Sequence, residues 1–205
     1  MDTWRLIATE RARLVDGLAG VTEAEWDSPS LCAGWLARDV LAHLVSTAEM
    51  TPRRFVFGLL RHGLAFHRMT AADAARYGER PVPALLERLA GLATSHDHPP
   101  GPIETLLLEA VVHGEDILFP LGLTADHVPE ALVRAADFAR TAQPLVGCRR
   151  RIAGLRLQAT DCDWQTGSGP EVLGPLRSVL LAMCGRKAAL ASLNGPGVTA
   201  LEARP

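Results

Sequence analysis

The sequence predicts a mostly α-helical protein, α+β overall, in two parts. A bundle of about four long helices is expected over residues 1–147, followed by a small α/β domain over residues 148–205. Apolar residues recur at helical spacing through the first part of the chain. Near the start of the second part, "GLRLQAT" (residues 154–160) alternates apolar and polar side chains, which is the period of a β-strand.

The helices are placed by this spacing and by residues that favour helix ends. Thr22 and Glu25 have the spacing of a capping box for a short helical turn. Thr51 and Pro52 are typical of an N-cap and a first helical residue. The predicted helices cover residues 3–18, 36–50, 52–66, 83–94, 102–121 and 129–143, with a loop over 69–83 and a last helical stretch after residue 175.

Composition and charge exclude several classes of function. The net charge is −2, and the basic residues are scattered except for "CRRR" at 148–151, so neither nucleic acid nor a membrane surface is favoured as a partner. The N-terminal residues mix arginine and glutamate with apolar side chains, unlike a signal peptide or a membrane span. We therefore expect a soluble, cytoplasmic monomer or homodimer.

The four cysteines lie far apart in the sequence and form no C-x-x-C pair, which argues against a thiolate zinc site. Reduced, packed thiols are the default in a cytosolic protein. Cys32 is flanked by Leu31 and Ala33 and is expected to be packed rather than reactive. It is nevertheless the only cysteine of the chain that we consider as a possible nucleophile.

The stretch "LLLEAVVHGEDILF" (residues 106–119) predicts a buried helix that carries two ionisable side chains. Glu109 and His113 are four residues apart, so both point to the same side of the helix, one turn apart. Burying an ionisable group without a partner is costly, so each needs a partner or a bound ligand. The spacing lets both side chains bind one metal ion, and the apolar surroundings argue against a solvated ion pair.

His43 is the natural third ligand, because it lies in the middle of another helix beside apolar neighbours. Asp39 and Asp116 are candidates to orient these histidines by accepting a hydrogen bond, although surface or capping roles are equally compatible with the sequence. The remaining histidines lie in loops or point apart on a helix, and His127 is given no function.

Three motifs in order along the chain carry a resemblance: "SLCAGWLARDVLAHLV" (30–45), "EAVVHGEDI" (109–117) and "GSGPEVLGPLRSVLLAMCGRKAALASLNGPG" (167–197). Together they resemble the mycothiol-dependent maleylpyruvate isomerase family of the DinB-like superfamily. The resemblance implies a DinB-like four-helix bundle with a small C-terminal domain. It also implies a divalent metal, usually zinc, bound by His43, Glu109 and His113, and mycothiol as the thiol cosubstrate.

The favoured hypothesis is a metal-dependent enzyme in which a small thiol attacks an electrophilic substrate, giving S-transfer or cis–trans isomerisation. A carboxylate of that substrate would need a cation, for which Arg151, Arg156 and Arg186 are candidates. Two alternatives stay open: a zinc-dependent hydrolase that activates water, and a non-enzymatic module that stores or senses a metal or ligand.

Overall fold

The computed structural model describes residues 1–142 and 147–204, and the chain forms two compact units, Met1–Val128 and Pro129–Pro205. The sequence placed the domain boundary at 147/148. The helix Pro129–Ala139 instead groups with the second unit, because it packs against the helix Leu176–Met183. The sequence predicts that the helix beginning at Pro129 ends at Gln143, which lies outside the described residues.

The first unit is helical, and its helices begin at residues that satisfy their free backbone N–H groups. Asp2 accepts a hydrogen bond from the Arg5 backbone, and the predicted capping box of Thr22 and Glu25 is formed. The helices are α1 (Thr3–Leu18), α2 (Glu23–Trp26), α3 (Ala37–Ala48), α4 (Pro52–Arg61), α5 (Phe66–Gly78), α6 (Val82–Gly91) and α7 (Glu104–Leu118).

Four of these helices form the predicted bundle, since α1 and α3 each contact both α6 and α7. Their facing side chains are apolar and fully or nearly fully buried, which supplies the main stabilisation of the fold. The residues at the centre include Leu14, Leu18, Val40, Leu41, Leu85, Leu89, Ile117 and Leu118. The mostly α-helical fold class is thereby confirmed.

The prediction of a loop over residues 69–83 was wrong for most of that range, because α5 extends to Gly78. The stretch has few large apolar residues, which hid its helical period, but it is rich in alanine, the strongest helix former. Packing against α3 buries Met69, Ala74 and Tyr77. This contact places α5 directly beside the helix that carries His43.

The second unit contains a three-stranded sheet of β1 (Arg156–Ala159), β2 (Gln165–Gly167) and β3 (Glu171–Gly174) in the order β2-β1-β3. Strand β1 pairs antiparallel with β2 and parallel with β3. The accompanying helices are α8 (Pro129–Ala139), α9 (Cys148–Arg151), α10 (Leu176–Met183), a 3₁₀ helix (Lys187–Ser192) and α11 (Val198–Glu202). The predicted small mixed α/β part is therefore present. Within the described part of the chain, no helix has the length and hydropathy needed to cross a membrane.

A buried ionic cluster in the first unit was not predicted. His127 lies between two carboxylates, with Nδ1 at 2.7 Å from Glu10 and Nε2 at 2.8 Å from Glu115. The side chains are 5% exposed for His127, 2% for Glu10 and 0% for Glu115. Glu10 also accepts a hydrogen bond from the Val128 backbone. These hydrogen bonds join the segment after α7 to Glu10 of α1 and Glu115 of α7.

This cluster predicts a loss of stability at alkaline pH. Burial lowers the pKa of His127, but the hydrogen bonds to Glu10 and Glu115 outweigh it and raise the pKa to about 9. Because the folded pKa exceeds the unfolded value, the stabilisation is complete below about pH 6.5 and disappears as the pH rises through 9, a loss on the order of 3 kcal/mol. Urea unfolding between pH 6 and 10 measures it, and an unchanged free energy of unfolding would contradict the charged state of His127.

Candidate functional site

The candidate site is built by α3, α7 and the loop "SLCAGW" (residues 30–35) that precedes α3. The backbone of this loop is fixed at both ends, because Leu31 N–H donates to the Asp116 carbonyl at 3.1 Å and Ser30 N–H donates to the Trp35 carbonyl at 2.9 Å. The first of these bonds holds the loop against α7. The Trp35 and His43 rings contact each other in a T-shaped arrangement, with their centroids 5.4 Å apart.

Among the three predicted metal ligands, His43 lies close to both Glu109 and His113, although the set does not have the mutual 4.8 Å spacing of a preformed ligand group. Nε2 of His43 lies 3.9 Å from Oε2 of Glu109, and the rings of His43 and His113 meet edge-on with centroids 4.9 Å apart. His43 is 7% exposed, and burial lowers its pKa to about 4, although the Glu109 carboxylate opposes this shift. His43 is therefore a neutral imidazole at physiological pH, which is the form that binds metals.

Asp116 orients His113. Its Oδ2 atom accepts a hydrogen bond from Nδ1 of His113 at 2.8 Å, three residues earlier on the same helix. Burial lowers the pKa of His113, but the hydrogen bonds to Asp116 and Cys32 outweigh it and raise the pKa to about 10. Because Nδ1 is held by a fully buried carboxylate, Nε2 is the ring nitrogen left for a metal, which would have to displace the Nε2 proton of the charged imidazole.

The residues fit a divalent cation. Oε2 of Glu109 and Nδ1 of His43 are buried and have no hydrogen-bond partner among the described residues. A buried carboxylate oxygen without a partner is costly, and a cation beside it removes that cost. The 3.9 Å between Nε2 of His43 and this oxygen is too long for a hydrogen bond. This distance between the nitrogen and the oxygen is close to the separation of about 3.3 Å between two atoms that coordinate one tetrahedral zinc ion.

Cys32 offers a second set of potential ligand atoms with His113 and Asp116, all within 4.8 Å of one another. Its Sγ is 3.0 Å from Oδ2 of Asp116 and 3.6 Å from Nδ1 of His113. These atoms, however, already satisfy one another by hydrogen bonding. The expected packing of Cys32 is only half right, because the residue is half-buried and its thiol touches the group that orients His113.

Arg11 places a buried positive charge near Glu109. The residue is 4% exposed, and its Nη1 donates to the Leu92 carbonyl at 3.1 Å and to the Ser95 carbonyl at 3.4 Å. Arg11 and Glu109 line the same small cavity of about 10 Å³, which is near the size of one water. Burial lowers the pKa of Arg11, and the opposing effect of Glu109 shows that the two charges interact.

The other candidate residues have different surroundings. Asp39 accepts a hydrogen bond from the Leu36 backbone at 2.9 Å, so it caps α3. The three arginine candidates belong to the second unit. Arg151 donates to the Met183 carbonyl, Arg186 to the Cys184 carbonyl, and Arg156 pairs with Glu171 at 3.3 Å.

Residues 7–100 match the family model described as the mycothiol maleylpyruvate isomerase N-terminal domain. A crystal structure of the mycothiol-dependent maleylpyruvate isomerase is similar to the chain, with a TM-score of 0.61 and 19% sequence identity over 95% of this chain and 91% of that chain. A histidine-to-alanine mutant of that enzyme gives a TM-score of 0.61 and 18% identity over the same shares. At this identity the two structures show a shared fold. No curated protein matches.

Proposed function

We propose that the chain belongs to the mycothiol-dependent maleylpyruvate isomerase family, whose N-terminal domain model matches residues 7–100, and that it is a cytoplasmic, metal-dependent enzyme that uses mycothiol to convert a small electrophilic substrate. The reaction is S-transfer or cis–trans isomerisation. The observation that carries this proposal is the buried Oε2 of Glu109, which faces Nε2 of His43 beside the ring of His113 without a hydrogen-bond partner among the described residues.

His43, Glu109 and His113 would hold the metal, most readily zinc. Two imidazoles and one carboxylate leave at least one coordination position open, as in catalytic zinc sites. A thiol at the open position of such an ion would have a lowered pKa, so that it would be a thiolate at neutral pH. Asp116 keeps the His113 ring in one orientation with the proton on Nδ1, because its carboxylate accepts a hydrogen bond from Nδ1–H.

The external thiolate then attacks an electrophilic carbon of the second substrate. The attack breaks the π bond of an activated carbon–carbon double bond, and if the new C–S bond persists and the neighbouring carbon takes up a proton, the product is an S-conjugate. If the adduct rotates about its former double bond and the C–S bond breaks again, the product is the geometric isomer and the thiol is regenerated. An arginine fork matches a substrate carboxylate, but Arg151, Arg156 and Arg186 each already contact a carbonyl or carboxylate within the second unit, so none of them is assigned this role.

The contacts of the nearby carboxylates favour thiol chemistry over water activation. A hydrolase needs a general base beside the open coordination position. Asp116 is 0% exposed and already accepts hydrogen bonds from His113 and Cys32, and Asp39 caps α3. A purely structural zinc site usually has four protein ligands, so a three-ligand set also favours an enzyme over a storage or sensing module.

The thiol dependence is tested with the zinc-loaded protein and maleylpyruvate as a first electrophile, in the presence and absence of mycothiol. We expect turnover, or consumption of mycothiol with other electrophiles, only when the thiol is present. Glutathione, which carries the same cysteinyl thiol on a different scaffold, is the matched control for thiol recognition. Hydrolysis of ester or amide substrates at the same rate without any thiol would instead support the zinc-dependent hydrolase.

Cys32 is expected to be dispensable for the chemistry. Its thiol donates to Asp116, so a Cys32→Ala variant loses one hydrogen bond near His113 but no metal ligand. Thiol-dependent turnover should stay within about tenfold of the parent, a change of less than about 1.4 kcal/mol in transition-state stabilisation. Turnover that needs no added thiol and disappears in Cys32→Ala would make Cys32 the nucleophile and overturn the external-thiol mechanism.

A further inference from the structure

Helix α4 and the turn after it present large apolar side chains to solvent. The exposed fractions are 51% for Val56, 68% for Phe57, 64% for Leu60 and 68% for Leu64, and no residue of α4 is buried. At 100° per residue, Val56, Phe57 and Leu60 lie on one face of the helix. We call these four side chains the α4 ridge. Scattered single apolar residues are ordinary on a protein surface, whereas a continuous set of four marks a contact site.

The backbone at the tip of the ridge is strained. Leu64 has a φ of 62°, and among the described residues it is the only one besides glycines with a positive φ. Glycine adopts this left-handed conformation freely, but a leucine does so at an energetic cost. Internal packing does not offset the cost, because the Leu64 side chain is mostly exposed. The conformation belongs to the end of α4, where Leu64 N–H donates to the Leu59 carbonyl at 2.8 Å.

The chain segment that contains the ridge carries positive charge, although Asp73 of α5 lines the same cavity as Phe57 and Arg61. No aspartate or glutamate occurs between Glu49 and Asp73, whereas Arg53, Arg54, Arg61 and Arg68 fall in this segment of a chain whose net charge is −2. Arg54 pairs with Glu49. The other three arginines are exposed and have no ion-pair partner among the described residues.

We propose that the α4 ridge docks on the surface of an anionic phospholipid bilayer. An exposed helix with one apolar face and flanking arginines can insert its apolar side chains at the boundary between headgroups and acyl chains while the arginines bind lipid phosphates. A second copy of the chain fits less well, because it would bring two sets of like charges together. The sequence argued against a membrane partner on the net charge and the scattered basic residues, whereas the structure places exposed arginines and apolar side chains on one short segment.

Sedimentation with vesicles tests this proposal on the intact protein. The vesicles contain phosphatidylcholine alone or phosphatidylcholine mixed with phosphatidylglycerol. We expect the protein to sediment with the anionic vesicles only, and binding to weaken as salt is added. Failure to sediment with the anionic vesicles at low salt, or equal binding to both lipids, would overturn the proposal.

Leu64→Gly is the sharpest variant, because it removes an apolar side chain and relieves backbone strain at the same time. We expect its melting temperature to be equal to or above that of the parent while vesicle binding falls by roughly fivefold or more. Phe57→Ser with Leu60→Ser should act similarly. Arg61→Ser with Arg68→Ser should lower binding, whereas the matched pair Arg149→Ser with Arg150→Ser should not. Ridge variants that bind vesicles like the parent would contradict the proposal, as would a parent dimer that only the ridge variants dissociate.

Discussion

Glu109→Ala is expected to abolish tight metal binding. Without this carboxylate the proposed site keeps only the imidazoles of His43 and His113 and loses the negative charge that would face the cation. The dissociation constant for zinc should rise by more than the roughly 10–100-fold that changes around the ligands usually cause. Zinc analysis of purified protein, followed by competition against a chelator, measures the effect, and thiol-dependent activity should disappear with the metal.

Two further variants separate the alternative ligand sets. His43→Ala should lose zinc as Glu109→Ala does, because His43 belongs only to the proposed site. Cys32→Ser should keep its zinc, because Cys32 belongs only to the cluster with His113 and Asp116. The reverse pattern would place the metal at the cysteine and reject Glu109 as a ligand. Circular dichroism of each variant controls for folding.

His127→Ala should destabilise the protein more than any other single change discussed so far. Removal of the imidazolium leaves the carboxylates of Glu10 and Glu115 buried without the positive charge between them. Removing one partner of a buried ion pair lowers the free energy of unfolding by about 3–5 kcal/mol. Urea unfolding at neutral pH measures the loss, and His67→Ala, which removes an exposed imidazole, is the control. If both variants unfold at the same urea concentration, the cluster contributes nothing to stability.

Local spacing in the sequence predicts only part of the proposed site. Glu109 and His113 share a helical face, and any helix over residues 106–119 brings them together. His43 was nominated by its place in an apolar helix and by the resemblance, and the structure brings it against both. Asp116 was named as a candidate orienting group, although three residues of spacing alone do not distinguish that role from a surface position.

The parts that were missed depend on contacts between distant segments. Cys32 and Asp116 are separated by 84 residues in sequence, and only the docking of the 30–35 loop on α7 joins them. His127 lies outside the regular elements, so no periodicity marks it as buried, although a histidine close to an apolar helix end was a weak signal. The exposure of the α4 ridge was equally hidden, because apolar residues at helical spacing ordinarily predict a buried face.

The most direct test of the metal site is a crystal structure of the zinc-loaded protein with anomalous data collected at the zinc edge. The proposed site predicts one strong anomalous peak that lies at about 2.0–2.2 Å from Nε2 of His43, a carboxylate oxygen of Glu109 and Nε2 of His113. Asp116 should keep its hydrogen bond to Nδ1 of His113 in that structure. A peak between Sγ of Cys32, Nδ1 of His113 and Oδ2 of Asp116, or the absence of a peak near Glu109, would contradict the proposed site.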